Sequence, residues 1–279
     1  MTPMPDSTMI SVCILASGSR GNCIHVSNGV NSILVDAGLS GKEIERRMVL
    51  RGLSPANLSA IVVSHEHSDH VQAVGVLARR YDLPVYMTPR TAVAAAPQLK
   101  NLKITVPFEC GERFCIESLM LNPFSISHDA EDPSGFTIQH AGVKIGIATD
   151  LGIATSLVKT HLSECSLLVL EANHDAGMLM NGPYPWPLKQ RIKGSTGHLS
   201  NSDSGSLLRE IYHPGLQHVI LAHLSETNNT PERAFSEVGN AMGDFPVRLS
   251  VSTQDVCGEI FTVEMDRQNS VENRVSILG

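Results

Sequence analysis

Ala60-Ile61-Val62-Val63-Ser64-His65-Glu66-His67-Ser68-Asp69-His70 runs from an apolar strand pattern directly into three histidines and an aspartate. Imidazole nitrogens and carboxylates at this density are what a bound transition metal requires. In an extended segment residues two apart point the same way, so His65 and His67 reach one ion while Glu66 points elsewhere. A helix beginning near Asp69 directs Asp69 and His70 from its mouth toward a second ion. The competing reading, a cluster of surface histidines on a polar turn, does not explain the buried strand that leads into it.

Further ligands are expected where apolar strands end. His128 follows Leu119 to Ile126, Asp150 ends Val143 to Thr149, and His223 ends Val219-Ile220-Leu221-Ala222. Each stands where side chains converge on a crevice outside the sheet ends. Asp36 follows Ile33-Leu34-Val35 in the same way and is kept outside the ligand set.

The 279 residues, 42% hydrophobic and 18% charged, suit a globular α/β protein with a sizeable core. Short strands alternate with helical patterns, and no Gly/Ser/Pro linker or charge block divides them, so a single domain over 1–279 is expected, with a core of about 10–265 and short tails. Strands are expected at Ile10 to Leu15, Cys23 to Val26, Ser32 to Val35, Ala60 to Ser64, several between Phe114 and Thr149, Ser166 to Glu171, His218 to Ala222 and Arg248 to Val251. Asn28-Gly29 is a hairpin signal. Helices are expected at Lys42 to Arg51, His70 to Tyr81, Ala154 to His161, Asn201 to Tyr212 and Pro231 to Met242, and an irregular stretch up to about Gly197. Two β-sheets face to face with helices outside, a four-layer αββα sandwich, accommodate this order.

The six cysteines form no C-x-x-C pair and read as buried reduced thiols of a cytoplasmic protein. No apolar run approaches the roughly 20 residues of a membrane span, and no basic-then-apolar leader opens the chain. A net charge of -7 excludes coating nucleic acid by bulk electrostatics, though not a local basic patch. The stretch from Ala176 to Gly197 is such a patch: Lys189, Arg191 and Lys193 with no acidic residue. It favours an anionic polymer beside a two-metal site, or is a solvated loop. His198, where a helix begins, is placed to contact a phosphate or protonate a leaving alkoxide. Ser17-Gly18-Ser19-Arg20-Gly21-Asn22 offers amides and hydroxyls to a phosphate, with Ser19 and Asn22 as contacts, or is only a tight turn. Trp186, the only tryptophan, stacks on a terminal base or packs beneath the loop.

With His-x-His-x-Asp-His followed by His128, Asp150 and His223, the chain resembles the metallo-β-lactamase superfamily. The resemblance implies that His65, His67 and His128 hold one metal, that Asp69, His70 and His223 hold a second, and that Asp150 bridges them. A carboxylate bridge gives a harder site, suited to two divalent ions, Zn²⁺ or Mn²⁺, flanking a phosphate or a strained carbonyl. Ala16-Ser17-Gly18-Ser19-Arg20-Gly21-Asn22-Cys23, Ser127-His128-Asp129-Ala130, Ala148-Thr149-Asp150-Leu151-Gly152, Glu171-Ala172-Asn173-His174-Asp175, Gly197-His198-Leu199-Ser200-Asn201 and Leu221-Ala222-His223-Leu224-Ser225 resemble, more narrowly, its YycJ/WalJ group. That resemblance implies a 5'-to-3' DNA exonuclease acting on duplex ends, with Asp69 and His198 catalytic, and Ser19, Asn22, His174, Lys189, Arg191 and His198 toward substrate. Glu171 and His174 stand as supporting, substrate-contacting or purely structural residues. The alternatives are a small-molecule ester or thioester hydrolase of the same fold, lactonase or glyoxalase-type, and a non-catalytic regulatory protein; the complete ligand set weighs against the last.

Overall fold

The computed structural model describes residues 8–264, so the tail set apart from about Asp266 lies outside the described residues. In chain order the elements are β1 (Met9–Ala16), β2 (Cys23–Ser27), β3 (Ser32–Val35), α1 (Gly41–Leu50), β4 (Leu58–Val62), α2 (Ser68–Val71), α3 (Val74–Tyr81), β5 (Val85–Met87), α4 (Pro89–Leu99), β6 (Thr105–Pro107), β7 (Phe114–Ile116), β8 (Leu119–Ser125), β9 (Ser134–His140) and β10 (Val143–Ala148). There follow α5 (Ser156–Leu162), β11 (Leu167–Glu171), α6 (Ala176–Asn181), α7 (Trp186–Lys193), α8 (Asn201–Ile211), β12 (His218–Ala222), α9 (Pro231–Met242), β13 (Arg248–Val251) and β14 (Ile260–Glu264). One sheet has the order β14-β1-β2-β3-β4-β5-β6, the other β13-β12-β11-β10-β9-β8-β7.

Side-chain alternation produces the layers. In β1, Ile10, Val12 and Ile14 face the other sheet and pack with Val26, Val35, Phe136, Ile145, Val169 and Ile220. Cys13 and Leu15 turn outward beneath Ile44 and Met48 of α1 and Leu77 of α3. On the far sheet Leu168, Leu170, Val219 and Leu221 lie under Val158, Leu207 and Val238. Helix, sheet, sheet and helix follow in that order, and the architecture is the expected αββα sandwich.

Three local expectations are corrected. The stretch up to Gly197 is not irregular but carries α6 and α7. Its prolines read as breakers, yet Pro185 caps α7 and Pro187 occupies its second position, where no amide is needed. The helix expected at His70 to Tyr81 is two helices. Ala73 N donates to Ala37 O (2.8 Å) and Ala37 N to His70 O (2.8 Å), so contacts with the end of β3 divert the backbone at the break. Of the six cysteines, Cys115 is exposed and Cys110 half-buried; the other four are buried, and all are free thiols. The Asn28-Gly29 hairpin forms with a longer loop, in which Asn28 Oδ1 accepts from Val30 N and Asn31 N. Among the described residues no helix is long and apolar enough to cross a membrane.

Candidate metal centre

The candidate metal ligands and Asp36 stand beyond strand ends or in the first turn of α2, at one end of the two sheets. Asp36 and His223 follow β3 and β12 directly and Asp150 follows β10 by one residue, with φ of 62°, 57° and 57° for Asp36, Asp150 and His223. This left-handed conformation costs free energy in non-glycine residues and clusters at functional sites. Here a single such step stops the strand and turns a ligand-type side chain across the sheet edge. His67 caps α2, whose first turn holds Asp69 and His70.

The side chains converge. One nitrogen from each of His65, His67 and His128 lies within 4.8 Å of the others, and so do single ligand atoms of Asp69, His70 and His223. His65 Nε2 is 3.0 Å from His67 Nδ1. Asp150 sits between the groups, with Oδ2 3.2 Å from His70 Nε2 and Oδ1 3.7 Å from His128 Nε2 and 3.4 Å from His223 Nδ1. Nε2 of His128 and of His223 are enclosed and have no hydrogen-bond partner among the described residues, and Asp150 Oδ2 has only the approach of His70. Buried polar atoms are normally paired. Unpaired nitrogens converging on a buried carboxylate fit divalent cations, and the donor set of imidazoles and carboxylates is one that both Zn²⁺ and Mn²⁺ accept.

Outer carboxylates fix the rings. Asp36 Oδ2 lies 2.8 Å from His70 Nδ1, while Asp36 takes the Ser64 amide and hydroxyl at 2.8 Å each. Glu171, fully buried, places Oε1 2.8 Å from Nδ1 of both His198 and His223. Its Oε2 accepts from Leu151 N (2.8 Å) and Leu199 N (3.1 Å). Such partners set tautomer and ring orientation in metal sites. Sequence reasoning left the role of Glu171 open because nothing in the chain shows that two distant histidines share its oxygen.

Electrostatics follow from this packing. Burial drives His65 well below the usual imidazole range, and His70 adds to it. Burial also opposes charge on His70 and His223, but Asp150 outweighs it, holding His70 well above its ordinary value and His223 at about 9. Burial would raise both acids, yet His223 and His70 keep Asp150 far below the carboxylate range, and His198 and His223 keep Glu171 at about 2. Both carboxylates are therefore ionised near neutrality, the state that binds cations.

A glycine that the sequence reading did not single out supports the aspartate. A Cβ on Gly38 would lie 1.6 Å from Asp69 O, and Asn22 N donates to that oxygen at 2.7 Å. Only glycine allows the backbone after β3 to pass so close to the metal loop.

The expected substrate residues divide. A cavity of about 210 Å³ beside the centre is lined by Ser19, Tyr184, Arg191, Ile192, His198 and His223 among others. Asn22 lies beneath it, its side chain holding Gly18 N (2.9 Å) and approaching His70 Nε2 (3.0 Å). Lys189 is not directed there: Nζ donates to Met180 O and Gly182 O, both 2.8 Å, and ties α6 to α7. Arg191 is paired with Asp129 (2.5 Å). His174 lines a different cavity. Trp186 is 59% exposed, so it does not pack beneath the loop.

The family described as beta-lactamase superfamily domain matches residues 31–224. The exodeoxyribonuclease YycJ of Bacillus anthracis is 36% identical over 231 residues, 82% of this chain and 88% of that one. The exodeoxyribonuclease WalJ of Streptococcus pneumoniae serotype 2 is 33% identical over 255 residues, 89% and 95% of the two chains. Among solved structures, the metallo-beta-lactamase fold protein YhfI from Bacillus subtilis superposes with a TM-score of 0.71 at 17% identity, covering 92% of this chain and 100% of that one, a likeness of fold. With its paired histidine clusters and the carboxylate between them, the chain belongs to the beta-lactamase superfamily and, within it, to the hydrolases of the YycJ/WalJ type.

Proposed function

We propose that this protein is a metal-dependent DNA exonuclease, a single catalytic domain that degrades duplex ends from the 5' side. The observation that carries the reading is the largely buried meeting of His65, His67 and His128 with Asp69, His70 and His223 around Asp150, next to a cavity that holds His198. The similarity to exodeoxyribonucleases along most of both chains supplies the substrate class.

In this reading His65, His67 and His128 hold one divalent ion, Asp69, His70 and His223 a second, and Asp150 lies between them. Bound there, the ions, Zn²⁺ or Mn²⁺, supply Lewis-acid activation of water and neutralise charge at the phosphate. The protein's own groups do the rest. Asp69, at the mouth of α2, accepts and orients protons on the metal side of the cavity. His198 is held through Nδ1 by Glu171, so Nε2 is the nitrogen left to meet the scissile phosphate and protonate the departing oxygen. Arg191 and Ser19 line the approach for the phosphate backbone. Neither a small-molecule esterase nor a non-catalytic regulator gains support from any feature of this cavity.

The test is digestion of 5'-end-labelled duplexes, phosphorylated or not, by protein loaded with Zn²⁺ or Mn²⁺, beside turnover of an acyl-homoserine lactone and S-lactoylglutathione. Release of labelled nucleotides with no ester turnover is expected. Brisk ester turnover without nucleotide release overturns the reading.

A further inference from the structure

Three successive residues of the β8–β9 loop are fastened to residues 191–197, the end of α7 and the turn after it. Ser127 Oγ donates to Ser195 O (2.8 Å), His128 Nδ1 donates to Gly197 O (3.3 Å), and Asp129 Oδ2 accepts from Arg191 Nε (2.5 Å). His198 N donates to Ile192 O (2.9 Å), which ties the same segment to the ring proposed as proton donor. Asp129, Arg191 and His198 all line the metal-side cavity.

Arg191 Nη2 also lies 2.5 Å from Asp129 Oδ2, so the carboxylate takes the Nε–Nη2 side of the guanidinium. A guanidinium is planar and carries five N–H donors, which leaves Nη1 and the second hydrogen of Nη2 outside this pair. Nη1 has no partner among the described residues, and the Arg191 side chain is 62% exposed. Two parallel N–H groups on that end edge match two oxygens of a phosphate. A lysine cannot serve both partners in this way, because an ammonium is a point charge without a fixed fork.

An ion pair this exposed adds little to stability. What it fixes is direction: an unheld arginine samples many rotamers, and ordering it on binding costs affinity. The carboxylate also has a cost, since a negative charge beside the cavity repels a polyanion. The two effects act on DNA affinity with opposite signs. Asp129 Oδ1 is 3.5 Å from His128 Nε2, so the competing role for this carboxylate is support of a metal ligand.

We propose that Asp129 is a positioning residue that holds Arg191 with its end edge free to grip a backbone phosphate of the DNA, in register with His198. The choice of DNA rests on the exonuclease reading.

The experiment compares full-length wild type with Asp129→Asn, Arg191→Ala, Arg191→Lys and the double variant Asp129→Asn/Arg191→Ala. Metal-loaded protein is followed by steady-state digestion of a labelled duplex, and EDTA-treated protein by fluorescence anisotropy of the same duplex. Asp129→Asn keeps the size and removes a negative charge, yet it raises KM and weakens affinity about threefold or more. Its kcat at saturating DNA and its bound metal stay at the wild-type level. Arg191→Ala weakens affinity about tenfold and lowers the slope of log affinity against log salt by about 1. Arg191→Lys, with the charge but no fork, stays nearer to alanine than to wild type. The double variant binds no more weakly than Arg191→Ala. Equal or tighter binding by Asp129→Asn, a further loss in the double variant, or loss of bound metal in Asp129→Asn overturns the proposal. A wild type that binds duplex but leaves it undigested overturns the exonuclease reading alone, and the anisotropy series still decides the role of Asp129.

Discussion

Oε1 of Glu171 lies 2.8 Å from Nδ1 of His198, and the same oxygen lies 2.8 Å from Nδ1 of His223. One buried carboxylate thus orients a ring proposed to protonate the leaving group and a ring proposed to hold a metal. Glu171→Gln keeps the shape but replaces an ionised acceptor. It is expected to lower cleavage rate and metal affinity together, each by about 10–100-fold, measured by single-turnover digestion and metal titration. His198→Ala is expected to slow cleavage with metal content unchanged. Loss of metal in His198→Ala would place that residue among the ligands.

His67 is the least buried of the three imidazoles in its cluster and stands at the cap of α2 without a side-chain capping bond. Its replacement by alanine is therefore expected to remove a proposed ligand without unfolding the helix. His67→Ala is expected to abolish metal-dependent cleavage and lower metal content while DNA affinity, read by fluorescence anisotropy, stays near wild type.

Asp36 binds His70 and Ser64 at once. Asp36→Asn keeps the size but removes the charge opposite His70 Nδ1, so metal affinity should fall by about 10–100-fold with little change in kcat at saturating metal. An unchanged affinity would show that backbone packing alone holds His70.

Gly38→Ala forces a methyl to within 1.6 Å of Asp69 O. Either the β3 end or the metal loop must move, which is expected to destabilise the fold by more than about 2 kcal/mol and to weaken metal binding. Urea unfolding with and without metal separates the two effects.

His25, buried on β2, has its pKa lowered to about 4 by burial. The unfolded chain, with an imidazole pKa of about 6.5, takes up a proton that the folded chain refuses. Stability is therefore intact above about pH 6.5 and lost as pH falls toward 4, by about 2 kcal/mol at pH 5 from this residue. Urea midpoints between pH 7 and 5 should fall less steeply in His25→Leu; an identical slope would assign the acid sensitivity elsewhere.

The substrate side shows where reading a chain residue by residue stops. Lys189, Arg191 and Lys193 are neighbours in sequence and form one basic patch on paper. On α7 they separate: Lys189 is tied to carbonyls of α6, Arg191 faces the metal-side cavity against Asp129, and Lys193 lines the cavity behind. A turn of 3.6 residues turns i+2 away from i and i+4, which share a face, so Arg191 leaves the two lysines by helix period, and Lys189 leaves Lys193 by its hydrogen bonds to the carbonyls of α6.

The sequence by itself determined the ligand-rich loop after β4 and the strand-end positions of His128, Asp150 and His223, because these depend on local period and on the order of apolar runs. The order of strands and helices also accommodated the paired sheets, but periodicity alone did not separate them from other α/β folds, because strands such as β3, β11 and β12 are buried on both faces. Only the tertiary structure decided that the two groups of histidines meet across Asp150, that Glu171 serves two of the surrounding rings, that Gly38 must lack a side chain, and that His174 lines a cavity other than the one beside those groups. Those relations join residues dozens to hundreds of positions apart, and through-space packing, not local propensity, sets them.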